Sequence, residues 1–166
     1  MIIRKAQPAD AEQLIGLIAD AENSGNMMFD PGERKMTPAG LSKRIEAMKQ
    51  ADTSAILVAE SDGGLAGYLF IIGSETNRTR HSAYLAIGIH SSSRGQGVGT
   101  KLFEQADKWA IENSISRLEL TVMVRNHAGV ALYQKMGFLI EGTKKSSLKV
   151  DGEYIDEYYM AKLIGV

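Results

Sequence analysis

One stretch of the 166-residue sequence holds most of its chemistry: Ile87-Gly88-Ile89-His90-Ser91-Ser92-Ser93-Arg94-Gly95-Gln96-Gly97-Val98-Gly99-Thr100. An apolar run ends, a glycine-rich turn follows, and a helical pattern begins. Glycines at 95, 97 and 99 permit positive φ and let a ligand come close to the main chain. The free N–H groups of such a turn converge on one spot, with the positive end of the helix behind them. That is the chemistry of a pyrophosphate cradle. A plain glycine-rich strand-to-helix turn accounts for the same residues about equally well.

Two known phosphate loops fit poorly. The nucleoside-triphosphate loop needs Gly-x-x-x-x-Gly-Lys-Ser/Thr, and Gly99-Thr100-Lys101 has the wrong order. The dinucleotide fingerprint needs Gly-x-Gly-x-x-Gly, and Thr100 stands where its third glycine belongs. Glu119 could imitate the ribose-binding acid, but the unit sits mid-chain after a hairpin. Downstream, Asn126 suits a helix N-cap. Tyr133 lies two helical turns further on and projects from roughly the same face.

The spacing that fits is Arg/Gln-x-x-Gly-x-Gly/Ala, here Arg94-Gly95-Gln96-Gly97-Val98-Gly99. It resembles the acyl-CoA loop of the Gcn5-related N-acetyltransferase (GNAT) superfamily. Asn126-His127-Ala128-Gly129-Val130-Ala131-Leu132-Tyr133-Gln134-Lys135-Met136-Gly137-Phe138 is similar to that family's Asn-x-x-Ala-x-x-Leu-Tyr-x-x-x-Gly-Phe segment, with Gly129 where alanine is commoner. The resemblance implies one domain over residues 1–166, with acetyl-CoA as cosubstrate and no metal. It implies an α/β fold: a mixed, mostly antiparallel sheet with a central, splayed parallel strand pair flanked by helices. The implied reaction is transfer of an acetyl group to a primary amine (a small amine, an amino acid or a protein N-terminus) by direct attack in a ternary complex.

Residue by residue, the resemblance implies that backbone groups of Ile87 and Ile89, with Gly88 between them, bind the pantetheine arm like an added strand. It gives the pyrophosphate to Arg94, Gly95, Gln96, Gly97, Val98, Gly99 and Thr100, and the mouth of the CoA cleft to Asn126. An amide near Ile89 would polarise the thioester carbonyl. Tyr133 would protonate the leaving thiolate, a reasonable donor at the ordinary phenol pKa of about 10. Relatives carry a base glutamate at one of two positions, and this sequence has Thr121 and Tyr84 there. Glu33, His81, Tyr84 and Glu119 are remaining candidates, and the base stays unassigned. A catalytically silent acyl-CoA-binding or sensory module of the same fold is the alternative, favoured by the missing glutamates and opposed by Tyr133.

The elements that must position these residues follow from periodicity. Ile2–Arg4 reads as a strand. Pro8 opens a helix with Leu14, Leu17, Ile18 and Ala21 on one face. Residues 23–36 lose all periodicity. Thr37-Pro38 caps a second helix with the stripe Leu41, Ile45 and Met48. Strands over 55–59 and 65–72 form a hairpin about Asp62-Gly63-Gly64, and a further strand covers 83–89. Helix 100–113, strand 118–124 and helix 128–136 follow, and a hairpin of strands 144–150 and 154–163 ends the chain. The strand–helix–strand unit over 83–124 predicts a parallel, right-handed crossover.

Composition excludes several classes. The sequence has no cysteine, so an acyl-cysteine intermediate, disulfides and thiolate metal sites are out. His81, His90 and His127 match no metal-ligand spacing. A formal net charge of −1 gives no electrostatic case for nucleic acid or a membrane surface. No apolar run spans a bilayer and no signal peptide is recognisable, so the expected address is the cytoplasm. In the family the acceptor docks between the first two helices and the late hairpin. Here Asp30, Glu33, Asp156 and Glu157 could attract a cationic amine, and Tyr154, Tyr158 and Tyr159 could line an apolar wall; Glu33, Tyr84 and Asp156 are the expected substrate contacts. A homodimer through the C-terminal hairpin is the expected assembly.

Overall fold

The run Ala55–Ala59 has no polar alternation, and all five residues are buried. A strand buried on both faces requires a sheet covered on both faces, and the computed structural model, which describes residues 1–165, has that arrangement. Strands β1 (Ile2–Lys5), β2 (Ala55–Ser61), β3 (Gly64–Gly73), β4 (Ser82–Ile89), β5 (Arg117–Met123), β6 (Leu139–Val150) and β7 (Glu153–Leu163) form one sheet in the order β1-β2-β3-β4-β5-β7-β6. Helices α1 (Ala11–Glu22) and α2 (Pro38–Gln50) cover one face. Helix α3 (Val98–Glu112) packs on the other, where α4 (His127–Lys135) adds Leu132 and Tyr133.

Local signals explain the helices. Pro8 starts a single 3-10 turn, Pro8–Asp10, before α1, and Asp10 accepts from the Gln7 N–H at 2.7 Å. Leu14, Leu17, Ile18 and Ala21 then bury one stripe of α1. The Thr37 hydroxyl accepts from the Gly40 N–H at 3.1 Å and caps α2, with Leu41 and Ile45 buried. Helix α3 begins at Val98, two residues before the sequence expectation, because Gly97 turns the chain at φ 80°. That left-handed turn favours a residue without a Cβ.

All strand pairs are antiparallel except β4–β5, as the crossover requires. The last hairpin differs from expectation. Strand β6 starts at Leu139, five residues before the expected Lys144, and it is the outer edge while β7 pairs with β5. No residue of β6 is buried, so it carries no alternating pattern to recognise. Its register slips between Lys144 and Leu148. Asp156 holds the bulge, accepting from the Ser146 N–H at 2.7 Å and from Lys145 Nζ at 3.2 Å. The hairpin expected to join two copies exposes Leu139, Ile140, Tyr154 and Leu163.

Two glycines test the packing. A Cβ on Gly73 would overlap the Thr53 carbonyl, which is backbone and cannot swing aside. Gly16, on the outer face of α1, has nothing within 4 Å of its Cβ position. In urea unfolding, Gly73→Ala is expected to cost about 3 kcal/mol, whereas Gly16→Ala adds about 0.5–1 kcal/mol.

Candidate functional site: a gap between two parallel strands

The β4–β5 ladder is short. Ser82, Ala83 and Tyr84 pair with Arg117, Leu118 and Glu119, and beyond that point the strands part. Each diverging strand keeps another partner: β4 follows β3 to Ile89, and β5 follows β7 to Met123. Backbone groups of successive strand residues point to opposite sides. The His81 carbonyl accepts from the Ser116 and Arg117 N–H groups, so odd-numbered residues of β4 face β5. At the other end the His90 N–H donates to Ala66 O at 2.8 Å, so even-numbered residues face β3. The backbone groups of Leu85, Ile87 and Ile89 therefore face the gap. A groove of about 1670 Å³ runs through it and opens on both faces of the sheet.

The glycine turn sits at one end of this groove. Arg94, Gly95, Gly97, Val98, Gly99 and Thr100 line it, with Gly95 at φ 73°. Gln96 does not: its amide donates back to Ser92 O at 3.0 Å. The positive end of the 15-residue α3 stands behind the turn. Gly99 has a packing reason, since a Cβ there would come within 2.8 Å of Leu132 on α4. Helix α1 braces the turn through Asp20, which accepts from the Ser91 N–H at 2.7 Å and the Ser91 hydroxyl at 2.8 Å. Burial opposes ionisation of Asp20, but these bonds, with His90 and Arg94 nearby, hold its carboxyl below the ordinary range.

Asn126 caps α4, accepting from the Gly129 N–H at 3.0 Å, and also lines the groove. A Cβ on Gly129 would lie 2.6 Å from the Asn126 side chain, which accounts for glycine there. Tyr133 lines the gap with its ring edge-on to Phe103 and Phe138, at 5.7 and 6.3 Å. Burial, with a smaller contribution from the Tyr84 phenol, pushes the Tyr133 hydroxyl up to about 12. The Tyr84 and Thr121 hydroxyls share a hydrogen bond of 2.8 Å where the strands part. The two positions expected to hold a base thus bind each other.

These features can be compared with known proteins. The pattern described as the acetyltransferase (GNAT) family matches residues 26–138. The chain belongs to this family. It is 33% identical to the L-amino acid N-acetyltransferase AaaT of Escherichia coli K12, over 98% of each chain. A solved GNAT-family acetyltransferase from Streptococcus pneumoniae superimposes with a TM-score of 0.93 at 34% identity, covering 99% of each chain. The yncA protein of Salmonella typhimurium, solved with its cofactor acetyl-CoA, has a TM-score of 0.89 at 20% identity, over 100% of this chain and 95% of that one, a likeness of fold. This GNAT protein is an acetyltransferase with a mixed α/β sheet.

The acceptor side departs from the sequence reading. Glu33 is exposed and outside the groove, and Asp156 is engaged in the β6 bulge. Of the expected acceptor residues Tyr84, Glu157 and Tyr159 line the groove, while Asp30, Glu33, Tyr154, Asp156 and Tyr158 do not. Met27, Met28, Phe29 and Arg34, from the loop expected beside the acceptor but not singled out there, line it, as do Glu22, Arg44, Tyr68 and Phe70, which lie outside the expected regions. They come from the end of α1, the aperiodic loop, α2, and β3 positions that read as ordinary core. Every carboxylate lining the groove has a partner among the described residues. Glu22 takes Arg34, Glu119 and Glu141 share Arg117, and Glu157 accepts from Ser147. Arg44, Arg94, Lys135 and Lys144 also line it and have no acidic partner there.

The Asp20 brace predicts a pH-dependent cost. Asp20→Ala should lower unfolding stability by about 1–2 kcal/mol at neutral pH. A depressed carboxyl stabilises above the unfolded pKa of about 3.9 and loses that contribution as pH falls through its lower folded value. The difference from wild type should therefore shrink as denaturation is followed from pH 5 to below pH 3.

Proposed function

We propose that the protein transfers an acetyl group from acetyl-CoA to the α-amine of an amino acid, by direct attack within a ternary complex. The observation that carries this reading is the open edge of β4. From the Leu85 carbonyl on, the odd-numbered backbone groups of β4 have no strand partner and lead directly to the glycine turn. An extended pantetheine arm satisfies that edge as an added strand would, bonding Ile87 and Ile89 across Gly88. Its pyrophosphate then meets the N–H groups from Gly95 to Thr100 and the Arg94 guanidinium. Gln96 contributes its main chain. Asn126 bonds the arm where it leaves the gap. The E. coli relative named for L-amino acids and the excess of unpaired cations in the groove both favour an anionic acceptor over a polyamine.

In the reaction the neutral amine attacks the thioester carbonyl carbon, and an N–H near Ile89 stabilises the oxygen that becomes negative. The C–S bond then breaks and sulfur must gain the proton that nitrogen loses. A phenol near 12 facing a thiolate whose thiol titrates near 8.5 is a weak full donor, uphill by about 5 kcal/mol. Tyr133 therefore works as a hydrogen-bond donor to sulfur that gives up its proton as the ammonium of the tetrahedral intermediate replaces it. No carboxylate lining the groove is unpartnered among the described residues, so the amine enters already neutral.

Free thiol release from acetyl-CoA with amino acids, polyamines and N-terminal peptides tests this directly. Dependence on an amino acid supports the reading, and absence of both turnover and acetyl-CoA-dependent thermal stabilisation overturns it. Tyr133→Phe should lower kcat by roughly 10²–10³ with little change in KM. The kcat/KM of wild type should rise tenfold per pH unit up to the amine pKa of the acceptor used. Because Tyr133 stays protonated, it should add no falling limb below about pH 11.

A further inference from the structure

We infer that Arg34 and Tyr68 form the anchor for the acceptor's α-carboxylate, and that the acceptor is a free amino acid with an apolar side chain. The inference rests on the acetyltransferase reading above and adds to it a site and a substrate class. Arg34 lies in the loop before α2. Its Nε donates to Glu22 Oε2 at 2.8 Å, and Glu22 is only 3% exposed. The guanidinium carbon lies 4.3 Å from the centre of the Phe29 ring. An ion pair along one edge and an aromatic face beneath fix the plane of the guanidinium. Neither Nη nitrogen has a partner among the described residues, and the side chain lines the groove. A fixed fork with two free donors is the geometry that binds a carboxylate in bidentate fashion.

Tyr68 supplies the independent observation. It is 2% exposed, yet its hydroxyl has no hydrogen-bond partner among the described residues, and it lines the same groove. The hydroxyl is not sealed off from the groove, so it stands free to donate to a ligand there. Its ring lies across Gly88, with the hydroxyl 2.6 Å from the position a Gly88 Cβ would take. That puts the donor beside Ile87 and Ile89, where the thioester would pass. Burial pushes the hydroxyl up to about 12, with Arg34 and Glu22 close enough to act on it in opposite senses. It is therefore a neutral donor throughout the working range.

Charge and size complete the assignment. Glu22 cancels Arg34, and Arg44, stacked 5.1 Å from the centre of the Phe70 ring with no acidic partner, leaves this wall positive by one. One carboxylate neutralises it. The α-amine, one carbon away, then falls toward the gap, and the side chain meets Met27, Met28 and Phe70. A protein N-terminus has a peptide carbonyl where this site wants an anion, and is disfavoured.

The test compares leucine, methionine and phenylalanine with their amides and with the matching decarboxylated amines, each rate taken per neutral amine. Wild type should favour the amino acids by about 30-fold or more in kcat/KM. In Arg34→Gln that ratio should fall to within about threefold of unity, chiefly through KM, with Arg34→Lys in between. Because Arg34→Gln could unseat Glu22, Tyr68→Phe serves as a second variant that keeps the ring, and it should lower the ratio about tenfold. Equal use of amides by wild type, or an unchanged ratio in both variants, overturns the anchor while leaving the acetyltransferase intact. No turnover of any amine removes the reading beneath it.

Discussion

The rest of the molecule depends on a backbone edge that the sheet does not satisfy. Two parallel strands pair for three residues and then separate, because each is claimed by an antiparallel neighbour with its own twist. Unpaired N–H and C=O groups inside a protein are expensive, and folds normally close such edges. In the proposed complex this edge takes up the pantetheine arm, whose own amides can pair with it. The helices are disposed around that vacancy. Helix α3 starts at its end and presents its positive pole, α4 walls one mouth with Tyr133, and α1 with its following loop walls the other.

The same vacancy organises the acid–base chemistry. Tyr68, Tyr84 and Tyr133 all line it, the first two from the sheet and the third from a helix on the opposite face. None sits beside an unpaired carboxylate, and burial keeps Tyr68 and Tyr133 neutral well above physiological pH. A site lined by neutral phenols holds hydrogen bonds in place without adding charge. Where the strands part, Arg117 is paired with Glu119 and Glu141, whereas Arg94 at the glycine turn and Arg44 on the opposite wall have no acidic partner among the described residues. In the proposed reaction a neutral amine meets a neutral thioester between these two unpaired cations.

How far the sequence discloses this depends on whether the backbone or the side chains hold the information. The glycine turn, the N-cap at Asn126 and the crossover are local: spacing and residue type specify them, and they lie where the pattern places them. The start of strand β6, before Lys144, is hidden because an edge strand with no buried residue has no alternation to detect. The acceptor wall was hidden for another reason. Arg34 and Glu22 are twelve residues apart across an aperiodic loop, and Tyr68 looks like any core tyrosine until its register against Gly88 is known. Acidic residues near the chain's end suggested a cationic acceptor. Folding binds the acids of the groove to partners and leaves the cations free, which reverses the sign of the wall.

Sulfur chemistry gives one of these features a further consequence. The enzyme's product is a thiol, and the sequence contains no cysteine with which that thiol could exchange. Oxidative stress therefore cannot disable it through mixed disulfides. The most exposed sulfur in the groove is a thioether: Met28 lines it and is 70% exposed. Conversion to the sulfoxide places a strong dipole where an apolar side chain should rest, and a sulfoxide reductase restores it. Redox damage to this enzyme would thus fall on its choice of acceptor, leaving the grip on the donor untouched.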